Sequence, residues 1–137
     1  GEFERDTVRR LHGMTSLEWL AKLRFLSERT LLPHGIFVSP SRHIPGPGRD
    51  LDIIREAGAA LVHCPLVSAR FGEGLESFKS YRERGLKMGL GTDTSPPDML
   101  LNMQIGLMLC RLAEHSARVR QGPRLPSSAP RRPWLRW

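Results

Sequence analysis

Three ionisable residues, His34, His63 and Asp93, recur along the chain at nearly equal intervals. The first two are 29 residues apart and the last two are 30 residues apart. Each follows a short, mostly apolar segment; these segments are residues 30–33, 59–62 and 86–90. Apolar strands of this kind are typical of parallel sheets in which both faces are covered. The spacing therefore predicts three consecutive strand–helix units whose ionisable residues share one edge of a sheet.

Helices are predicted before, between and after these segments. Thr15 or Ser16 can cap a first helix, with Glu18 or Trp19 three residues later. Further helices are predicted at 51–57, 75–84 and 99–113, and the Pro-, Gly- and Ser-rich stretch 39–49 is predicted to be a loop. One unit of a (β/α)8 barrel takes about 30 residues. The pattern thus predicts an α/β protein built as part of such a barrel.

The charge of the chain is concentrated at one end. The 137 residues contain 21 Lys and Arg and 14 Asp and Glu, a formal net charge of +7. Residues 116–137 contain six arginines, four prolines and no acidic residue. Because proline interrupts both helices and sheets, we expect 116–137 to be a disordered tail and 1–115 to be the folded body.

Composition narrows the class of protein further. The chain has no run of 18 apolar residues, so no membrane-spanning helix is predicted. The N-terminal residues do not resemble a secretory signal, and two cysteines do not form a disulfide framework. A reduced, cytoplasmic location is therefore expected. Cys64 and Cys110 are interpreted as small buried side chains without a chemical role.

Two imidazoles and a carboxylate at one sheet edge could hold a divalent transition metal. Taken singly, each residue also has a structural explanation. His34 and His63 could be turn histidines bonded to the backbone, and Asp93 could cap a turn. Their shared position and period favour the chemical interpretation over the structural one.

The sequence around these residues resembles the amidohydrolase superfamily. The resemblance rests on Pro33-His34-Gly35, on His63-Cys64-Pro65 and on Gly89-Leu90-Gly91-Thr92-Asp93, and it covers about residues 6–112. It is strongest to the branch of cytosine deaminases, guanine deaminases and triazine chlorohydrolases. The resemblance implies a (β/α)8 barrel in which the three segments are strands six to eight.

The resemblance also implies roles for individual residues. His34 would be a metal ligand, and Asp93 would be both a ligand and a proton shuttle. His63 would be a catalytic residue near the substrate rather than a ligand, and Ser68 stands where the family often has Asn. His43, in the loop, is expected to be solvated. The metal would be Zn or Fe, activating a water that attacks a heterocycle or amide carbon and cleaves a non-peptide carbon–nitrogen bond.

Other ligands of the family site have no counterpart here. The family has a His-x-His after its first strand, and this chain contains none. The resemblance therefore predicts a C-terminal fragment of a hydrolase, inactive alone, whose partner is a small heterocyclic or amide substrate. Neither nucleic acid nor a membrane is expected as a partner.

Two alternatives remain open. In the first, the arginines of 116–137, with Trp134 and Trp137, bind nucleic acid or an anionic surface. In the second, the fragment acts only by associating with other chains, including copies of itself. The helix at 99–113 is apolar almost all round, so it should be buried or lie at an interface.

Overall fold

A three-stranded parallel sheet with helices packed around it forms the framework of the protein. The computed structural model describes residues 2–75 and 77–121. The elements in chain order are α1 (Glu2–His12), α2 (Ser16–Lys22), β1 (Leu31–Pro33), α3 (Asp50–Glu56), β2 (Ala60–His63), α4 (Pro65–Arg70), α5 (Phe78–Glu83), β3 (Lys87–Leu90) and α6 (Met99–Gln121). The α/β class and the three predicted strands are confirmed.

The register of the sheet aligns the carboxyl ends of its strands. The strand order is β1-β2-β3, and both pairs are parallel. Pro33 pairs with Val62, and His63 pairs with Leu90. His34 and Asp93 follow β1 and β3 by one and three residues, and His63 is the last residue of β2, so the three predicted site residues lie at one edge of the sheet.

Local sequence signals account for several helix ends. Thr15 accepts a hydrogen bond from the backbone of Glu18, whose side chain accepts one from the backbone of Thr15 in return, which forms a capping box at α2. Gly58 follows α3 with a φ of 69°, a left-handed conformation that glycine adopts without steric cost. This turn leads directly into β2.

The apolar core lies between the sheet and helices α2, α3 and α5. Its buried members are Leu17, Val38, Leu51, Ile54, Ala59, Leu61, Leu75, Tyr81 and Leu86. Helix α6 is different, because many of its large apolar side chains are exposed: Met99, Leu100, Leu101, Met103, Leu107, Met108 and Leu112. Of the two predicted positions for this helix, burial or an interface, burial is not seen in the described residues.

Three elements differ from the sequence prediction. Helix α1 was not predicted, and α4 occupies part of what was predicted to be a loop after Pro65. Proline is well tolerated in the first turn of a helix, where its missing N–H has no partner to lose. Helix α6 continues to Gln121, so residues 116–121 are helical rather than part of the predicted disordered tail. The remainder of that tail, 122–137, lies outside the described residues.

A buried carboxylate joins three parts of the chain. Asp50, at the start of α3, is 1% exposed. Its Oδ2 accepts hydrogen bonds from the backbone N–H and the hydroxyl of Ser39, at 2.9 and 2.8 Å. Its Oδ1 accepts a hydrogen bond from the hydroxyl of Thr15. The carboxylate therefore connects the cap of α2 and the loop after β1 to α3.

We predict that Asp50→Ala lowers the free energy of unfolding by about 3 kcal/mol, because two buried donors of Ser39 and the part-buried hydroxyl of Thr15 lose their acceptor. Asp52→Ala is the control on the same helix. The side chain of Asp52 is 42% exposed and pairs with Arg55 at 3.0 Å, so its loss should cost less than about 0.5 kcal/mol. Denaturant unfolding monitored by circular dichroism gives both values. Equal losses would show that the Asp50 connection is not a major source of stability.

Candidate metal and catalytic site

His34 and Asp93 meet at the carboxyl edge of the sheet. Nε2 of His34 lies 3.5 Å from Oδ2 of Asp93, and the side chains are 39% and 55% exposed. Backbone hydrogen bonds hold both strand ends in place. The N–H of His34 donates to the carbonyl of Val62 at 2.8 Å, and the N–H of Gly91 donates to the carbonyl of His63 at 2.9 Å. The approach of the two side chains is thus set by the sheet.

The backbone is left-handed at both of these positions. His34 has a φ of 69° and Asp93 a φ of 46°. At His34, the N–H of Gly35 donates to the carbonyl of Pro33 at 3.0 Å and closes a three-residue turn. Such conformations cost about 1–3 kcal/mol for residues other than glycine and occur often at functional sites. They turn the side chains of His34 and Asp93 away from the regular course of their strands.

Cys64 lies beside this pair. Its Sγ, a ring nitrogen of His34 and a carboxylate oxygen of Asp93 all lie within 4.8 Å of one another. Cys64 is 3% exposed, and Gly91 leaves room for it, since a Cβ on Gly91 would lie 3.3 Å from the sulfur. Burial and the negative charge of Asp93 raise the pKa of the Cys64 thiol, while a backbone hydrogen bond from His34 opposes them. In the absence of a metal the side chain is therefore a neutral thiol.

His63 occupies a more enclosed position than the other two predicted residues. It is 1% exposed, and its Nδ1 has no hydrogen-bond partner among the described residues. Burial, with a smaller contribution from the positive charge of His34, lowers the pKa of its imidazole. Its side chain lines a cavity of about 270 Å³ together with Leu75, Phe78 and Cys110. A neutral imidazole is the form that this environment favours.

A larger cavity opens at His34 and Asp93. It has a volume of about 450 Å³, and its wall includes Ile36, Leu61, Ser68 and Phe71. The hydroxyl of Ser68 is buried and has no hydrogen-bond partner within the described part of the chain. An apolar wall with a few polar groups is typical of small-molecule sites. The cavity is within the usual size range for such a ligand.

The donor set is compatible with a divalent metal. An imidazole nitrogen and a carboxylate oxygen suit Zn and Fe, and a thiolate suits Zn. His34 and Asp93 were predicted from the sequence. Cys64 was not, although its position next to His63 at a strand end was a signal that could have identified it.

The remaining histidines lie away from this cluster. His43 has its Nε2 3.3 Å from the carbonyl of Gly74 and packs edge-on against Phe37. It is therefore held in the loop rather than fully solvated. His12 stacks on Trp19 with the ring centroids 3.7 Å apart, and His115 is exposed on α6. None of the three is part of the His34–Cys64–Asp93 cluster.

Comparison with known proteins gives the family. A model of the amidohydrolase family matches residues 2–125. The chain belongs to the amidohydrolase family. Among curated amidohydrolase-like relatives, the 5-methylthioadenosine/S-adenosylhomocysteine deaminase of Pyrococcus furiosus is 27% identical over 114 residues, which are 80% of this chain and 25% of that protein. The 5′-deoxyadenosine deaminase of Methanothrix thermoacetophila is 31% identical over 90 residues, which are 66% of this chain and 20% of that protein.

Solved structures give a consistent result for this amidohydrolase. A mutant atrazine chlorohydrolase of Arthrobacter aurescens TC1, complexed with zinc and atraton, superposes with a TM-score of 0.55 at 29% identity over 68% of this chain and 19% of that one. A triazine hydrolase variant reaches a TM-score of 0.63 at 27% identity over 85% of this chain and 24% of that one. The chain thus spans about a quarter or less of the proteins that it resembles. None of the described helices is long and apolar enough to cross a membrane.

We predict that His63 makes the folded protein less stable at acidic pH. Because burial lowers its pKa from the ordinary value of 6.5, the unfolded chain takes up the proton first as the pH falls. The free energy of unfolding should therefore decrease more steeply in the wild type than in His63→Gln between about pH 7 and pH 5. Denaturant unfolding at several pH values measures both slopes. His115→Gln is the exposed control and should follow the wild type; identical slopes for His63→Gln would contradict the prediction.

Proposed function

We propose that this chain carries part of the metal centre of a hydrolase that cleaves non-peptide carbon–nitrogen bonds in small heterocyclic or amide substrates. The approach of His34 and Asp93 at the carboxyl edge of the sheet, with 3.5 Å between Nε2 and Oδ2, is the observation that carries the proposal. Membership of the amidohydrolase family and relatives named as deaminases support it.

In this proposal His34 and Asp93 are metal ligands. The chemistry supplied by a divalent metal held there is Lewis-acid activation of water. Zinc is preferred because a structural neighbour contains zinc, and the same donors would also accept iron. Asp93 has two carboxylate oxygens, so it can bind through one and accept a proton at the other, which supports its assignment as a proton shuttle.

His63 is assigned as a catalytic residue that acts as a neutral imidazole. Its Nδ1, which has no hydrogen-bond partner among the described residues, can accept a hydrogen bond, and the burial that lowers the pKa of the imidazole keeps it uncharged near neutrality. The apolar cavity of about 450 Å³ beside His34 supports a small, largely uncharged substrate. The relatives named for methylthioadenosine and triazines act on heterocycles of this kind.

We also propose that the three strands correspond to the sixth, seventh and eighth strands of a (β/α)8 barrel. The parallel order and the common edge of the site residues support this assignment. Three strands do not close a barrel. Among the described residues, the group that could hold a metal with Asp93 consists of His34 and Cys64. The 137-residue chain alone should therefore release no measurable ammonia from a deaminase substrate.

Metal binding gives the first prediction for this site. Isothermal titration of the metal-free chain with Zn²⁺ should show that His34→Ala and Asp93→Asn each weaken binding at least about tenfold, the effect of losing one ligand or its support. His115→Ala, an exposed histidine on α6, should leave the affinity unchanged. If His34→Ala and His115→Ala bind Zn²⁺ equally well, His34 is not a ligand.

Activity is tested in a chimera, because the chain matches only 25% of the Pyrococcus furiosus deaminase. The matching segment of that enzyme is replaced by this chain, and ammonia release from 5-methylthioadenosine is measured. The chimera should be active, and His34→Ala and Asp93→Asn should each lower kcat by at least about a hundredfold. His115→Ala is the matched control. A folded, zinc-loaded chimera without activity would contradict the proposed reaction.

A further inference from the structure

The sulfur of Cys64 is the third donor atom at the carboxyl edge of the sheet. It lies within 4.8 Å of both the His34 nitrogen and the Asp93 oxygen. Cys64 directly follows β2, so it projects from the central strand between the ends of β1 and β3. The chain thus places one candidate donor at the end of each of its three strands.

The environment of this sulfur favours a ligand over a packing role. The hydrogen bond that its thiol donates is long, 3.8 Å to the carbonyl of Val62. Gly91 leaves open the space beside it, where a Cβ would lie 2.8 Å from Val62 and 3.3 Å from the sulfur. A thiol that filled a core gap would be surrounded by apolar side chains, whereas this one faces an imidazole and a carboxylate.

We propose that Cys64 is a third metal ligand, which binds as a thiolate beside His34 and Asp93. This proposal rests on the proposed function, because it concerns the same metal centre. Binding would replace the S–H bond with a sulfur–metal bond, and the proton would be released to solvent. A nitrogen, a carboxylate oxygen and a sulfur form a mixed set that suits zinc.

A sulfur ligand would change which metal ions the centre prefers. Thiolate is a soft ligand, so the site should prefer Zn²⁺, Cd²⁺ and Co²⁺ to hard cations such as Mg²⁺. It also donates more charge than an imidazole, which should make the bound metal a weaker Lewis acid than one held by nitrogen and oxygen alone. The chemistry of the centre would therefore be tuned by a residue of the central strand.

Cobalt spectroscopy tests this ligand without relying on activity. The metal-free chain is titrated with Co²⁺ under reducing conditions, and the thiolate-to-cobalt charge-transfer band in the near ultraviolet is recorded. The band should be present in the wild type and in Cys110→Ser, the matched control at the other free cysteine. It should be absent in Cys64→Ser, and the Cd²⁺ affinity of that variant should fall at least about tenfold.

X-ray absorption at the zinc edge of the wild type is a second measurement that needs no variant. One sulfur at about 2.3 Å from zinc would support the proposal, and a shell of nitrogen and oxygen alone would overturn it. If Zn²⁺ binds, depends on His34 and Asp93, and shows no sulfur, Cys64 is not a ligand while the proposed metal pair stands. If the wild type binds neither Zn²⁺ nor Co²⁺, the proposed metal pair and the Cys64 assignment both fail.

Discussion

In-register parallel pairing is the constraint on which the rest of the structure depends. Parallel strands end at the same edge, and here the backbone bonding continues one residue past β1 and β3, through His34 and Gly91. The candidate ligands are thus positioned by main-chain hydrogen bonds that any sequence could make. Their side chains add chemistry to an arrangement that the sheet has already fixed. A one-residue shift of register would move a donor away from the others.

The helices after β2 and β3 hold this edge from the other side. Asn102, fully buried on α6, accepts a hydrogen bond from the backbone of Leu66 at 3.1 Å. At Gly106, a Cβ would lie 3.2 Å from Pro65, so the absence of one lets α6 pack closely on the start of α4. These contacts of α6 with Pro65 and Leu66 therefore hold the chain in place directly after His63 and Cys64. Helix α6 also leaves large apolar side chains exposed, so the side of the helix that contacts the protein is more constrained by packing than the other side.

The sequence predicted the three strands, four of the six helices and two of the three residues of the His34–Cys64–Asp93 cluster, because spacing and turn residues are local signals. The intervals of 29 and 30 residues reflect the length of a strand–helix unit. Cys64 was missed because a lone cysteine is more often a small core residue, and only the register shows what it faces. Helix α4 was missed because Pro65 is a loop signal and a helix-start signal alike. The partners of Asp50, 11 and 35 residues away, are tertiary and have no local pattern.

The backbone conformation of His34 and Asp93 distinguishes the candidate site from the rest of the fold. Among the described residues, three other than glycine have a positive φ: Arg24, His34 and Asp93. Arg24 lies just after the C-cap of α2, where a left-handed residue commonly follows a helix, and its N–H donates to the carbonyl of Ala21. His34 and Asp93 follow strands, where no helix cap offsets the cost, and a glycine would be more stable at each. A chain that needed only a turn would gain by having glycine there, so the presence of an imidazole and a carboxylate at these two points favours a chemical role for both.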